Sequence, residues 1–198
     1  MRLVHFAGFQ GSGKTGIIDR ICKDKNADFI ANNEPSANAL KSSCRNVDFF
    51  PFKSPCARMR QYTYRLDMML QKGPSMVITE PPGNCQEVSA PMLNQIFVNN
   101  KEIELGPLIT VVDGRKISRG VSKKDSEGLR IFNMIDESDA VVVSFSDFLS
   151  DDDEKAIVGI VSEINPDGKV IFSEPDSDLS KLSDLVFGDA KYSRPLYN

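Results

Sequence analysis

The stretch GFQGSGKT, Gly8 to Thr15, constrains this chain more than any other part of it. It fills the pattern G-x-x-x-x-G-K-[ST] and both flanks fit. The apolar run LVHFA precedes it, and Ile17, Ile18, Ile21 and Cys22 follow at helical spacing. Glycines let the backbone N–H groups of a tight loop turn inward around an anion. A helix started at that loop aims its positive end at the same point. The matching ligand is a phosphate chain. The segment therefore predicts a nucleotide site lined by Gly8, Gly11, Ser12, Gly13, Lys14, Thr15 and Gly16. Lys14 is expected to reach the β- and γ-phosphates, and the Thr15 hydroxyl to face Mg²⁺.

The rest of the chain has the rhythm that such a loop requires. Apolar strand-like runs (DFIA, MVIT, PLITVV, AVVVSF, KVIF) alternate with segments of helical period, which predicts an α/β fold with a mostly parallel sheet. One helix is read from Ser54 as N-cap and Pro55 at the first position, with Met59, Tyr62, Leu66, Met69 and Leu70 on its apolar stripe. Others are read over 91–98, from a capping box at Ser122 and Asp125, over the face Ala156, Ile157, Ile160, Val161, Ile164, and over 179–186. Asp151 to Glu154 reads as the acidic first turn of one of these. Residues 32–54, rich in Asn, Ser and Pro, read as a long loop with the strand-like insert VDFF. There is no internal repeat and no linker, so the expectation is one domain over 1–198 with a loose tail over 189–198.

Composition narrows the partners. The chain has 198 residues, 40% apolar and 26% charged, with net charge −4 and no basic stretch, which argues against binding nucleic acid through its phosphates. No apolar run approaches the roughly 20 residues of a membrane span. The four cysteines, Cys22, Cys44, Cys56 and Cys85, form no CxxC pair and read as reduced thiols of a cytoplasmic protein. Cys22 falls on a core-like helix face. Cys56, near a predicted helix N-terminus, has the setting that lowers a thiol pKa. The single histidine, His5, lies within the first strand and reads as a packed side chain.

The run MVIT ends in Glu80, Pro81, Pro82, Gly83 and Asn84, with Cys85 next. A buried strand that delivers a carboxylate to a stiff turn beside the cradle places Glu80 toward Mg²⁺. Gly83 would let the backbone approach the γ-phosphate, so the turn reads as a sensor of that phosphate.

The segments GFQGSGKT, ITEPPG, ITVVDG, VVVSFSD and EINPDGKVIFSE stand in the order and spacing of the CobW/HypB/UreG GTPases, and the chain resembles the CobW branch of that SIMIBI class over nearly its whole length. Glu80 to Gly83 resembles the E-x-x-G form of switch II in that class. Asn33 and Glu34 resemble its switch I "NE" segment. The resemblance implies a three-layer P-loop NTPase fold. It also implies a cytoplasmic GTP-dependent maturation factor, a metallochaperone or corrinoid chaperone. Such a protein couples slow hydrolysis to delivery of nickel, zinc or cobalt to a client enzyme, often as a homodimer. Catalysis would fall to Lys14 and Glu80. Ser144, Phe145, Asp147 and Ser173 would complete the nucleotide site, and Thr15 and Glu80 would hold Mg²⁺.

Three departures shape the expectations. The base motif N-K-x-D stands as SFSD; Asp147 is kept, and Phe145 replaces the lysine as a surface on which a purine could stack. Both GTP and ATP stay open. The family's C-x-C-C motif is reduced to Cys56, so a Zn²⁺, Ni²⁺ or Co²⁺ site would draw on two or three of Cys44, Cys56 and Cys85, or pair them across a dimer axis. The switch I aspartate has no clear counterpart; Glu34 and Asn38 are the polar residues offered there. Gln86 and Asn84 are the candidates for orienting water. The competing readings are an ATP-dependent kinase of a small molecule or nucleotide, and a module that binds nucleotide for stability alone.

Overall fold

The structure is a computed structural model that describes residues 1–50, 59–80 and 89–193. Seven parallel strands form one sheet: β1 (Arg2–Ala7), β2 (Asp28–Ala31), β3 (Asn46–Phe49), β4 (Met76–Thr79), β5 (Glu104–Asp113), β6 (Ala140–Ser144) and β7 (Lys169–Ser173). Their order is β3-β2-β4-β1-β5-β6-β7. The helices are α1 (Lys14–Cys22), α2 (Glu34–Leu40), α3 (Met59–Leu70), α4 (Ser89–Asn99), α5 (Gly114–Ile117), α6 (Ser126–Glu137), α7 (Asp151–Ile164) and α8 (Ser180–Phe187).

The apolar runs lack hydrophobic–polar alternation because both sheet faces are covered. Neighbouring residues go to opposite layers: Val4, Ile78, Val111 and Val142 pack with α1, α2 and α8. Leu3 and Val77 pack with α3 and α4, while Val112, Val141 and Val143 pack with α5, α6 and α7. This is the three-layer α/β fold that the sequence implied. The stripe on α3 behaves as core, with Tyr62, Leu66 and Met69 buried. Its outward arginines are solvated: Arg60 is exposed and Arg65 faces Asp48. The predicted N-cap Ser54 and Pro55 lie outside the described residues.

Two expectations change. The described part of the stretch 32–54, residues 32–50, is not a long loop. Asn33 caps α2 by accepting from Ser36 N at 2.9 Å, Pro35 sits in the first turn, and β3 extends the sheet edge. Asn, Ser and Pro are loop formers, and the same residues start helices. The box at Ser122 and Asp125 also shifts: Asp125 is the cap, accepting from Gly128 N at 2.8 Å, whereas Ser122 accepts from Lys124 N at 3.2 Å. The acidic turn of α7 is as read, with Ser150 and Asp153 forming the capping box. The tail is tied as far as Ser193, whose N–H donates to Asp139 at 2.9 Å, and Tyr192 N donates to Leu105 O at 3.3 Å.

His5 is a packed histidine, 1% exposed, with Nδ1 2.7 Å from Thr79 Oγ1 on the paired strand. Burial, aided by the Lys14 charge, pushes its pKa down to about 3. The unfolded chain therefore holds the extra proton between about pH 3 and 6.5, and stability falls as pH drops through that window. From pH 7 to 4.5 this one group should remove roughly 2–3 kcal/mol. In urea unfolding at the two pH values, His5→Gln should lack that part of the loss.

Candidate functional site

Because every strand is parallel, the C-terminal ends of β1, β4, β5, β6 and β7 lie at one edge of the sheet. β1 is flanked by β4, which follows α3, and by β5, so chain connections diverge on either side of it, and a crevice opens there. The loop from Gly8 to Gly13 fills that crevice. Gly8 has φ 143, and a Cβ there would stand 2.4 Å from Val111 O. Gly13, at φ 85, is the left-handed N-cap from which α1 starts. Gly11 and Gly16 face open space on the side a Cβ would occupy.

Inside the loop, Lys14 is 7% exposed and its Nζ donates to Gly8 O at 2.5 Å and Phe9 O at 2.8 Å. Burial lowers its pKa to about 8, opposed by the Glu80 carboxylate. Ser12 is 3% exposed, and its hydroxyl has no hydrogen-bond partner among the described residues. A buried cation on strained-loop carbonyls beside an unsatisfied hydroxyl suits a phosphate oxygen.

Glu80 sits just past β4, 5% exposed. Its Oε2 accepts from Thr15 Oγ1 at 3.2 Å. Thr15 Oγ1 also lies 3.0 Å from Ser36 Oγ. Asn32 Nδ2 donates to the Glu80 carbonyl at 2.8 Å. One hydroxyl, one carboxylate and a second hydroxyl thus converge, an all-oxygen set of the kind that Mg²⁺ prefers. Ser36 and Asn32 were missed in the sequence. Glu34 and Asn38, the residues offered from that segment, are exposed, and Asn38 accepts from Lys41. The helical spacing of α2 decides this: Ser36 faces inward while Glu34 and Asn38 turn out.

The SFSD turn follows β6. Ser144 is buried and donates to Val112 O at 2.9 Å, and a Cβ on Gly13 would lie 3.5 Å from its own Cβ. The turn therefore abuts the cradle. Phe145 is half-buried at φ 56, and Asp147 is exposed. Ser173, in register with Ser144, accepts from Arg20 of α1 at 3.5 Å, and Arg20 also donates to Glu174 O at 2.6 Å.

Two of the four thiols, Cys22 and Cys44, are among the described residues. Cys56 and Cys85 lie outside the described residues, as do Gly83, Asn84 and Gln86. Cys44 is 7% exposed in the core layer of α1, in hydrogen-bond contact with Cys22. That bond, with burial, raises the Cys22 thiol well above its ordinary range. Among the described residues no group of three or more His, Cys, Asp or Glu side chains could hold a metal ion. None of their helices is long and apolar enough to cross a membrane.

A loop of this form between the first strand and first helix of a parallel sheet places the chain among the P-loop nucleotide-binding proteins. More narrowly, residues 2–172 match the family pattern of the CobW/HypB/UreG nucleotide-binding domain, and the chain belongs to that family. No curated protein matches it in sequence. Solved structures share its fold, among them the following three. The hydrogenase maturation factor HypB of Archaeoglobus fulgidus aligns at TM-score 0.59 and 14% identity, over 95% of this chain and 89% of that one. HypB of Helicobacter pylori, in complex with nickel, gives 0.62 and 14%, over 93% and 85%. The Zn(II)-bound YjiA GTPase of E. coli gives 0.66 and 16%, over 94% and 61%.

Proposed function

We propose that this chain binds and slowly hydrolyses GTP and couples that cycle to handling a transition metal or metallocofactor for a client enzyme. The observation that carries the nucleotide half is the contact of Thr15 with Glu80 across a cradle that already holds Lys14. In this reading Gly8, Gly11, Ser12, Gly13 and Gly16 hold the phosphates through backbone and hydroxyl donors, and Lys14 neutralises their charge. Thr15, Glu80 and Ser36 would hold Mg²⁺, which supplies further charge stabilisation on the phosphates when bound. Asn32 positions Glu80. Gly83 would read the γ-phosphate, and Ser144, Phe145, Asp147 and Ser173 would border the base.

The metal half is supported by the family and by the nickel and zinc in the HypB and YjiA structures. Its thiol ligands would be Cys56 and Cys85, one of them directly after the Glu80 turn. Cys44, enclosed against Cys22, is the least suited of the three. The client, a metalloenzyme or corrinoid protein, would meet a cytoplasmic monomer or homodimer.

The test is hydrolysis of GTP and ATP, each with and without Ni²⁺, Co²⁺ or Zn²⁺. GTP should be preferred, with a rate that responds to at least one of these ions. ATP preference with no metal response would overturn the proposal. Glu80→Gln should lower the Mg²⁺-dependent rate by about ten- to a hundredfold.

A further inference from the structure

The turn after β6 carries more aromatic surface than the fold uses. Phe148 is 67% exposed. Phe145 holds φ 56, a left-handed conformation that a phenylalanine rarely adopts. Backbone strain of this kind persists where the surroundings impose it, commonly at ligand clamps.

The group stacked on it is Arg115, from α5. Its guanidinium carbon lies 4.1 Å from the centre of the Phe145 ring and 5.6 Å from that of Phe148. Asp113 fixes the guanidinium plane by two bonds, accepting from Nε at 2.9 Å and from the terminal nitrogen at 2.7 Å. Asp113 also caps α5 by accepting from Arg115 N at 3.1 Å, so the backbone and the side chain are set together. Asp147 adds attraction from the SFSD turn itself. The Arg115 side chain nevertheless stays 46% exposed. Ser146, in the middle of the turn, is 2% exposed, and its hydroxyl has no partner among the described residues. An exposed ion pair adds little to stability, so folding alone accounts poorly for a fork, two rings and a strained residue at one place.

We propose that Arg115 is a base-binding residue: its guanidinium, backed by Phe145, is the flat platform on which the purine of the bound nucleotide stacks. The inference rests on the nucleotide reading above and assigns a residue that lies outside the SFSD motif. Ser144, where the turn begins, abuts Gly13 of the cradle, so a nucleotide with its phosphates in the cradle extends toward this turn. A guanidinium is planar, delocalised and weakly hydrated, and it can take an aromatic ring on each face. Phe145 backs the guanidinium, and the side chain's 46% exposure leaves area for a purine, which gains from a cation against its π-system. Asp113 occupies the donor edge that would otherwise seek phosphate, leaving the flat face as the part available to the ligand. Asp147, at the platform's edge, can then accept from the N1 and N2 positions of a guanine.

The experiment is titration of GTP, GDP and inorganic tripolyphosphate against the wild type, Arg115→Ala, Arg115→Lys and, as a control on α5, Lys116→Ala. Arg115→Ala should weaken GTP and GDP by about tenfold or more, the usual cost of losing a stacking partner, while leaving tripolyphosphate binding unchanged. Arg115→Lys keeps the charge and a partner for Asp113 but loses the plane, and should weaken GTP nearly as much. Lys116→Ala should bind as the wild type does. Unchanged GTP affinity in Arg115→Ala, full rescue by lysine, or an equal loss for tripolyphosphate would each overturn the inference. A wild type that binds tripolyphosphate but neither GTP nor GDP would overturn the nucleotide reading itself.

Discussion

Lys14→Met should raise the dissociation constant for GTP by about a hundredfold or more, without lowering the melting temperature. The two halves have different origins. Binding loses charge-assisted bonds to phosphate, worth about 1.5–3 kcal/mol each, so the loss of one or two gives a factor of this size. Stability behaves otherwise because burial lowers the Lys14 pKa from 10.5 to about 8. At pH 7 the fold carries a buried ammonium at a cost on the order of 3 kcal/mol. Methionine keeps the length and removes that cost, which offsets the two hydrogen bonds to Gly8 and Phe9 that are lost with it. A melting temperature many degrees below wild type would contradict this account. The same group sets a pH dependence. A bound triphosphate holds the proton on Lys14 to higher pH than the free protein does, so affinity should fall as pH rises through about 8. The decline should approach about tenfold per pH unit until the complex itself titrates. Titrations of GTP between pH 7 and 9.5 check the slope, and Lys14→Met should show none of it.

Gly8→Ala should have the larger effect on folding, on the order of 3 kcal/mol or more by urea unfolding. Two costs add. At φ 143 any side chain meets its own backbone. In addition, the new methyl group would stand 2.4 Å from Val111 O of β5 and 2.8 Å from Ser12 Oγ. Val111 belongs to the neighbouring strand of the core, so it cannot withdraw without disturbing the β1–β5 pairing. Gly11→Ala gives a comparison, because nothing lies within 4 Å of the position that its Cβ would take. It should cost only the backbone strain of its own positive φ, and less than Gly8→Ala. Equal effects at the two positions would show that the contact with Val111 does not matter.

The amino-acid order alone determined the cradle and its frame. GFQGSGKT, the strand before it and the helix after it form a local unit whose ligand follows from backbone geometry, and the unbroken apolar strands can only belong to a sheet covered on both faces. Glu80 was legible for the same reason, as a carboxylate at the end of a buried strand. Ser36, Asn32 and Arg115 were not, because each acts through a partner distant in sequence. Ser36 meets Thr15, Asn32 meets the residue after β4, and Arg115 stacks on the turn after β6. Cys44 likewise became a core thiol only when α1 brought Cys22 to it. Which side of α2 faces the cradle, and which residues meet between β5 and β6, are set by strand order and register. Those are properties of long-range packing, and no window along the chain contains them.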